Sequence, residues 1–210
     1  MLSTFLASLF FTPTTHSFTP KQYLQSDMDE LIELLDANGQ PTGQSCLKSI
    51  AHQQGLFHAS VHIWFYTTNG QVLLQKRKHT KNIFPGLWDV SVAGHISFGE
   101  KELISAIRET EEEIGLTVNE KDLKYLGTSR HKNEHANKLI DFELHHLYIS
   151  LLKAPFSNLK IQETEVAAIK LLSIEEFKAE LRNNSTNYVP HGADYYSRIV
   201  NAIQKALTTN

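Results

Sequence analysis

Residues 94–116 read Gly-His-Ile-Ser-Phe-Gly-Glu-Lys-Glu-Leu-Ile-Ser-Ala-Ile-Arg-Glu-Thr-Glu-Glu-Glu-Ile-Gly-Leu. Leu103, Ile104, Ile107 and Ile114 recur at helical spacing, which predicts a short amphipathic helix. Gly115 supplies a left-handed stop. Glu109, Glu111, Glu112 and Glu113 crowd the helix C-terminus, where the macrodipole disfavours negative charge. On a helix Glu109 lies within one turn of Glu112 and Glu113, so three carboxylates converge on one side. A divalent cation would offset both the dipole penalty and the mutual repulsion. Oxygen-only ligation suits a hard ion, Mg²⁺ or Mn²⁺, rather than zinc. Arg108 is placed to hold one of these carboxylates.

A run of glutamates is by itself more often a solvated helix face than a metal site. The spacing argues otherwise. Gly94, Glu100, Arg108-Glu109, Glu112-Glu113 and Gly115-Leu116 reproduce the box motif of the Nudix hydrolase superfamily, which the chain therefore resembles. Thr110 departs from the aliphatic residue usual there, and is small enough to pack. The likeness extends over residues 28 to about 207 and is closest to the isopentenyl-diphosphate-isomerase-like branch. It is carried by Asp36-Ala-Asn-Gly-Gln-Pro-Thr-Gly43, Gly55-Leu-Phe-His58, Leu73-Leu-Gln-Lys-Arg77, Phe84-Pro-Gly-Leu-Trp-Asp89 and Asn187-Tyr-Val-Pro190.

The resemblance implies an α/β/α sandwich around a mixed central sheet, the Nudix fold. It also implies hydrolysis of a diphosphate bond in a nucleoside-diphosphate-type substrate. Glu109, Glu112 and Glu113, with the Gly94 carbonyl, would hold Mg²⁺ or Mn²⁺, and Glu100 and Arg108 would orient them. Glu112 or Glu143 would activate water, Glu143 alternatively serving as an extra metal ligand, and Arg77 and Lys76 would bind phosphate. Two alternatives stay open: an isopentenyl-diphosphate-isomerase-like activity and a non-catalytic ligand-sensing module. Isomerases of this branch place a catalytic cysteine just before the Gly-His step. Here Ala93 stands in that place, and a methyl group cannot shuttle a proton. The sole cysteine, Cys46, lies too early to substitute and excludes an internal disulfide.

Residues 58–67 and 71–76 read as a β-hairpin turning at Thr68-Asn69-Gly70. It leads into Lys76, Arg77, Lys78, His79 and Lys81, a basic cluster suited to an anionic substrate or to a solvated turn. Residues 138–152 read as a further strand. Glu143 within it either faces solvent or is buried beside a partner charge, with Asp141 as the alternative acid on the same face. Strands are expected at 123–130 and 166–172. Ser173-Ile-Glu-Glu176 is a capping box opening a helix to about Leu181, and residues 193–207 form a closing helix. Histidine is frequent, 11 in 210 residues. His52, His58 and His95 match places where related isomerases bind a second metal, but no short-range spacing supports one, so no second metal is claimed. Trp64, Phe84 and Trp88 would stack on a base or fill the core.

With 41% hydrophobic residues and no apolar run long enough to span a bilayer, one globular domain is expected. Residues 28–210 are assigned to it, and 1–27, whose first 20 residues carry no Asp, Glu, Lys or Arg, to an extension that is disordered or precedes a true start at Met28. A net charge of -3 and a pI near 6.4 argue against nucleic acid as a main partner. The expected partner is a small diphosphate, in a cytoplasmic setting with no membrane association; the family also allows a homodimer.

Overall fold

The computed structural model describes residues 29–209; the expectations for 1–28 lie outside this span. The strands are β1 (Leu31–Leu35), β2 (Pro41–Leu47), β3 (His58–Tyr66), β4 (Gln71–Arg77), β5 (Trp88–Asp89), β6 (Val92–His95), β7 (Lys124–Glu134), β8 (Ile140–Leu151) and β9 (Val166–Ser173). The helices are α1 (Lys48–Gln54), α2 (Glu102–Ile114), α3 (Ile174–Asn183) and α4 (Ala193–Thr209). The sheet is mixed, as expected: β3 runs parallel to β8 and antiparallel to β6, while β4 pairs antiparallel with β9 and β5.

β3 is the organising strand, because alternation sends its side chains to two different cores. Val61, Ile63 and Phe65 are fully buried with Ala106 and Ile114 of α2 on one face. Trp64 and Tyr66 point the other way, into a core closed by Phe177 of α3 and by Ile199 and Ile203 of α4. Each fully buried large side chain contributes about 1.5–3 kcal/mol. Trp64 is thus core, not an exposed stacking platform. The second face is apolar only toward the end of β3. At its beginning the same face carries His58, Ser60 and His62, and there the sheet opens into a cavity.

The hairpin turns where expected, with Gly70 at φ 76°. The Ser173 capping box is formed in full: Ser173 Oγ accepts from the Glu176 amide, and the Glu176 carboxylate accepts from Ser173 N–H. On α2, Gly115 adopts φ 65° and ends the helix. The stripe differs from expectation at one position. Ile104 is 44% exposed, whereas Thr110 is fully buried and donates its hydroxyl to the Ala106 carbonyl. The hydroxyl that would be costly on an apolar face is satisfied within the helix itself.

Candidate functional site

A cavity of about 990 Å³ opens between α2, the early half of β3, β6 and β8. Its acidic wall is α2. Glu109 and Glu113 are buried, while the Glu112 side chain is about half exposed. Gly94 explains why Glu109 fits: a Cβ there would sit 1.9 Å from the Glu109 carboxyl carbon. Glu113 accepts from Gln75 Nε2 at 2.9 Å and from the Ala93 amide at 3.0 Å, tying the helix to β4 and β6. Arg108 donates to Glu100 through Nε and Nη2, and its Nη1 reaches Glu109 at 2.6 Å and Glu112 at 3.1 Å. Arg108 Nη2 also donates to the His95 carbonyl, so one guanidinium braces the loop, the helix and β6.

Burial pushes Glu109 up to about 7 against the pull of Arg108. Burial and the adjacent Glu109 charge push Glu113 up to about 8. Crowded, desolvated carboxylates of this kind favour protonation until a cation replaces the protons. The raised acids and the close Gly94–Glu109 packing fit a hard divalent ion. Glu109, Glu112, Glu113 and the Gly94 carbonyl are the oxygens that could hold it.

Beside α2 stands a second donor set, in which His52, His58 and His95 are joined by Glu143. The β3–β8 register pairs His58 with Glu143 and Ser60 with His145, and the β3–β6 register pairs Ser60 with His95. Three neighbouring strands therefore aim these side chains from one face. Glu143 Oε1 lies 3.6 Å from His52 Nε2, 3.5 Å from His58 Nε2 and 3.3 Å from His95 Nε2. All three Nε2 atoms are buried without a hydrogen-bond partner. His52, His58, His95 and Glu143 offer ligand atoms within 4.8 Å of one another, a donor set suited to a divalent cation. Burial holds His95 down at about 3, a neutral imidazole with a lone pair to give. Burial alone would raise Glu143, yet His95, His145, His52 and His58 together pull its carboxyl well below the usual range. Asp141 goes the other way: burial and the charge of Glu143 push it up to about 10, a protonated acid at neutral pH.

The basic cluster divides. Arg77 lines the cavity, where Nε and Nη2 donate to the Ile83 carbonyl and Nη1 donates to Asp89 Oδ2 at 3.2 Å. Lys81 also lines it, paired with Glu165, and burial followed by the charge of Arg77 lowers its ammonium to about 8. Lys76 does not share this site. β4 has an irregular step between Lys76 and Arg77, and Lys76 Nζ lies 5.8 Å from the Trp88 ring centroid. Trp88 is further covered by Lys170, 3.9 Å from its centroid, while Phe84 lies edge-on to His135 at the cavity rim. Ala93 is in the wall beside Gly94, its amide engaged by Glu113. Among the described residues no helix is long and apolar enough to cross a membrane.

The NUDIX domain model matches residues 56–191. Nudix hydrolase 3 of Arabidopsis thaliana is 33% identical over 188 residues; the match takes in 87% of this chain but only 24% of the plant protein. An uncharacterized Nudix hydrolase of Clostridium acetobutylicum is 27% identical, covering 83% of this chain and 97% of the relative. Isopentenyl-diphosphate Delta-isomerase 2 of Photorhabdus laumondii is 31% identical, covering 84% and 93%. Among solved structures, a Deinococcus radiodurans protein superposes with TM-score 0.58 at 16% identity, over 83% of this chain and 99% of that one. A MutT protein from Methanosarcina mazei superposes with TM-score 0.54 at 16% identity, over 71% and 94%. At such identities these two speak for the fold alone.

Proposed function

Since this chain belongs to the Nudix family, we propose that it is a divalent-metal-dependent hydrolase cleaving the diphosphate bond of a nucleoside-diphosphate-type substrate. The observation that carries the reading is the buried glutamate pair Glu109 and Glu113, with Glu112 a turn away, facing cationic Arg77 and Lys81 across one cavity. An anionic substrate fits between the two walls.

Glu109, Glu112, Glu113 and the Gly94 carbonyl would hold Mg²⁺ or Mn²⁺. When bound, the ion supplies neutralisation of the diphosphate and of the charge developing at phosphorus. Arg77 and Lys81 bind phosphate oxygens, Arg77 already oriented by Asp89 and Ile83. Of the two carboxylates suited to activating water, Glu112 is open to the cavity, whereas both oxygens of Glu143 face histidines. Glu112 therefore orients the attacking water and accepts its proton. Glu143 with His52, His58 and His95 would form a second cation centre, because three Nε2 atoms are buried there without a hydrogen-bond partner. Arg108 keeps Glu109 and Glu112 in place and is a positioning residue.

The isomerase alternative has relatives in its favour, but its proton shuttle is missing at Ala93. The sensing-module alternative lacks a reason for retaining every box acid. Phosphate release from nucleoside diphosphates, triphosphates, sugar nucleotides and prenyl diphosphates with Mg²⁺ tests the proposal, with pyrophosphatase added where needed. Turnover by wild type that falls at least 100-fold in Glu112→Gln is expected. Isomerisation of isopentenyl diphosphate without hydrolysis, or binding of a panel member without turnover, would overturn it.

A further inference from the structure

Beyond the two centres assigned above, three more histidines converge: His62 from β3, His145 from β8, and His191 from the segment entering α4. Each offers a ligand atom, and these atoms lie within 4.8 Å of one another. The His62 and His145 rings stack 3.9 Å apart, and the His191 ring stands edge-on to both, at 5.0 and 5.8 Å. All three border the same cavity.

What distinguishes this cluster from a satisfied core is the use of the ring nitrogens. One nitrogen of each ring is held by a separate partner. His191 Nε2 meets Asp89 Oδ1 at 2.7 Å, His145 Nδ1 meets Ser60 Oγ at 2.8 Å, and His62 Nδ1 meets Tyr195 Oη at 2.8 Å. The other nitrogens are left over, and His145 Nε2 and His191 Nδ1 are buried with no hydrogen-bond partner. Two of the protons can be placed. A carboxylate only accepts, so His191 Nε2 donates to Asp89 and Nδ1 keeps its lone pair. His145 Nδ1 faces Ser60 Oγ and, at 3.4 Å, Glu143 Oε2, which puts the proton on Nδ1 and the lone pair on Nε2. His62 Nδ1 is held by Tyr195 Oη, which also accepts from Trp64 Nε1 at 3.0 Å, so the ring is oriented through Nδ1 and turns Nε2 away from that partner. Rings oriented through one nitrogen with the other bare are how metal-ligating histidines are set by their outer partners.

We infer that His62, His145 and His191 form a nitrogen-only binding site for a divalent transition-metal ion, Zn²⁺ foremost, with its fourth position open to the cavity. Three imidazoles with no carboxylate select against Mg²⁺ and for Zn²⁺. Three protein ligands leave one coordination position, and cavity water or a substrate oxygen is what can reach it. The chain thus presents oxygen donors on α2 for a hard ion and imidazoles on β3 and β8 for a softer one.

The test uses the full chain, stripped of metal, loaded with Zn²⁺ and desalted, with zinc per chain read by mass spectrometry. Two zinc ions are expected in wild type, one at each histidine cluster. One should remain in His52→Gln/His95→Gln, which empties only the Glu143 centre, and one in His145→Gln/His191→Gln. Retention of wild-type zinc by a folded His145→Gln/His191→Gln protein would overturn the inference. Should that variant fail to fold, wild-type crystals soaked in Zn²⁺ decide. An anomalous peak among His62, His145 and His191 supports the site. A peak only beside Glu143, or none, overturns it.

Discussion

The Glu109 carboxylate lies against the bare Cα of Gly94, in the space a side chain at that position would need. Helix and strand therefore approach as closely as backbone allows, and the pairing sets how far α2 sits from the cavity. Gly94→Ala is expected to displace Glu109 and to cost about 1–3 kcal/mol of stability through overpacking. Activity should fall far more than the melting temperature suggests. A variant retaining wild-type turnover would show that the close approach is dispensable.

Glu109 and Glu113, raised to about 7 and 8 from 4.5, make metal binding a proton exchange. For an acid with a raised folded-state pKa, the folded chain binds more protons than the unfolded one between the two values. The metal-free protein should therefore lose stability as pH rises from about 4.5 to about 8, and Mg²⁺ should restore it at the upper end. At pH 7, Mg²⁺ binding should release roughly one proton. Calorimetry in two buffers of different ionisation enthalpy measures this, and a buffer-independent heat would contradict it.

Arg77 and Asp89 are joined inside the wall, and His191 meets the other carboxylate oxygen of Asp89. Burial would raise Asp89, but His191 and Arg77 hold it well below the usual range. Arg77→Ala leaves that buried carboxylate with one partner fewer, at a cost of about 3–5 kcal/mol. Arg77→Lys should recover part of the charge but not both Ile83 contacts, since an ammonium lacks the guanidinium fork. Denaturant midpoints of the two variants check the order.

The Ser173–Glu176 capping box is remote from the cavity and gives a control. Ser173→Ala should destabilise the chain by about 1 kcal/mol and leave turnover per folded molecule unchanged. A loss of activity at constant folded fraction would show that α3 communicates with the site.

Legibility followed contiguity. The α2 acids, Gly94 and Gly115 are carried by one short stretch whose spacing implies both helix and chemistry. Lys76 and Arg77 part company at a β-bulge in the pairing of β4 with β9, an irregularity no local pattern announces. The histidines were different. Ser60 and His145 are 85 residues apart and meet only because β3 runs parallel to β8 in a particular register. No local pattern encodes a parallel pairing. The sequence alone therefore does not single out His62 and His145, nor does it join His52, His58 and His95 to Glu143. Residue frequency was the one available signal.

β3 also has a bearing on how errors in folding are caught. Its histidines and its aromatic core residues share one face, so sliding the strand by a single residue would bring Val61 and Ile63 to the cavity and drive His58, Ser60 and His62 beneath α2. Such a chain could neither close its hydrophobic layers nor assemble its chemistry. A misthreaded molecule is consequently unstable and exposed to clearance, not a durable, inert impostor, and quality control of the fold doubles as quality control of the site.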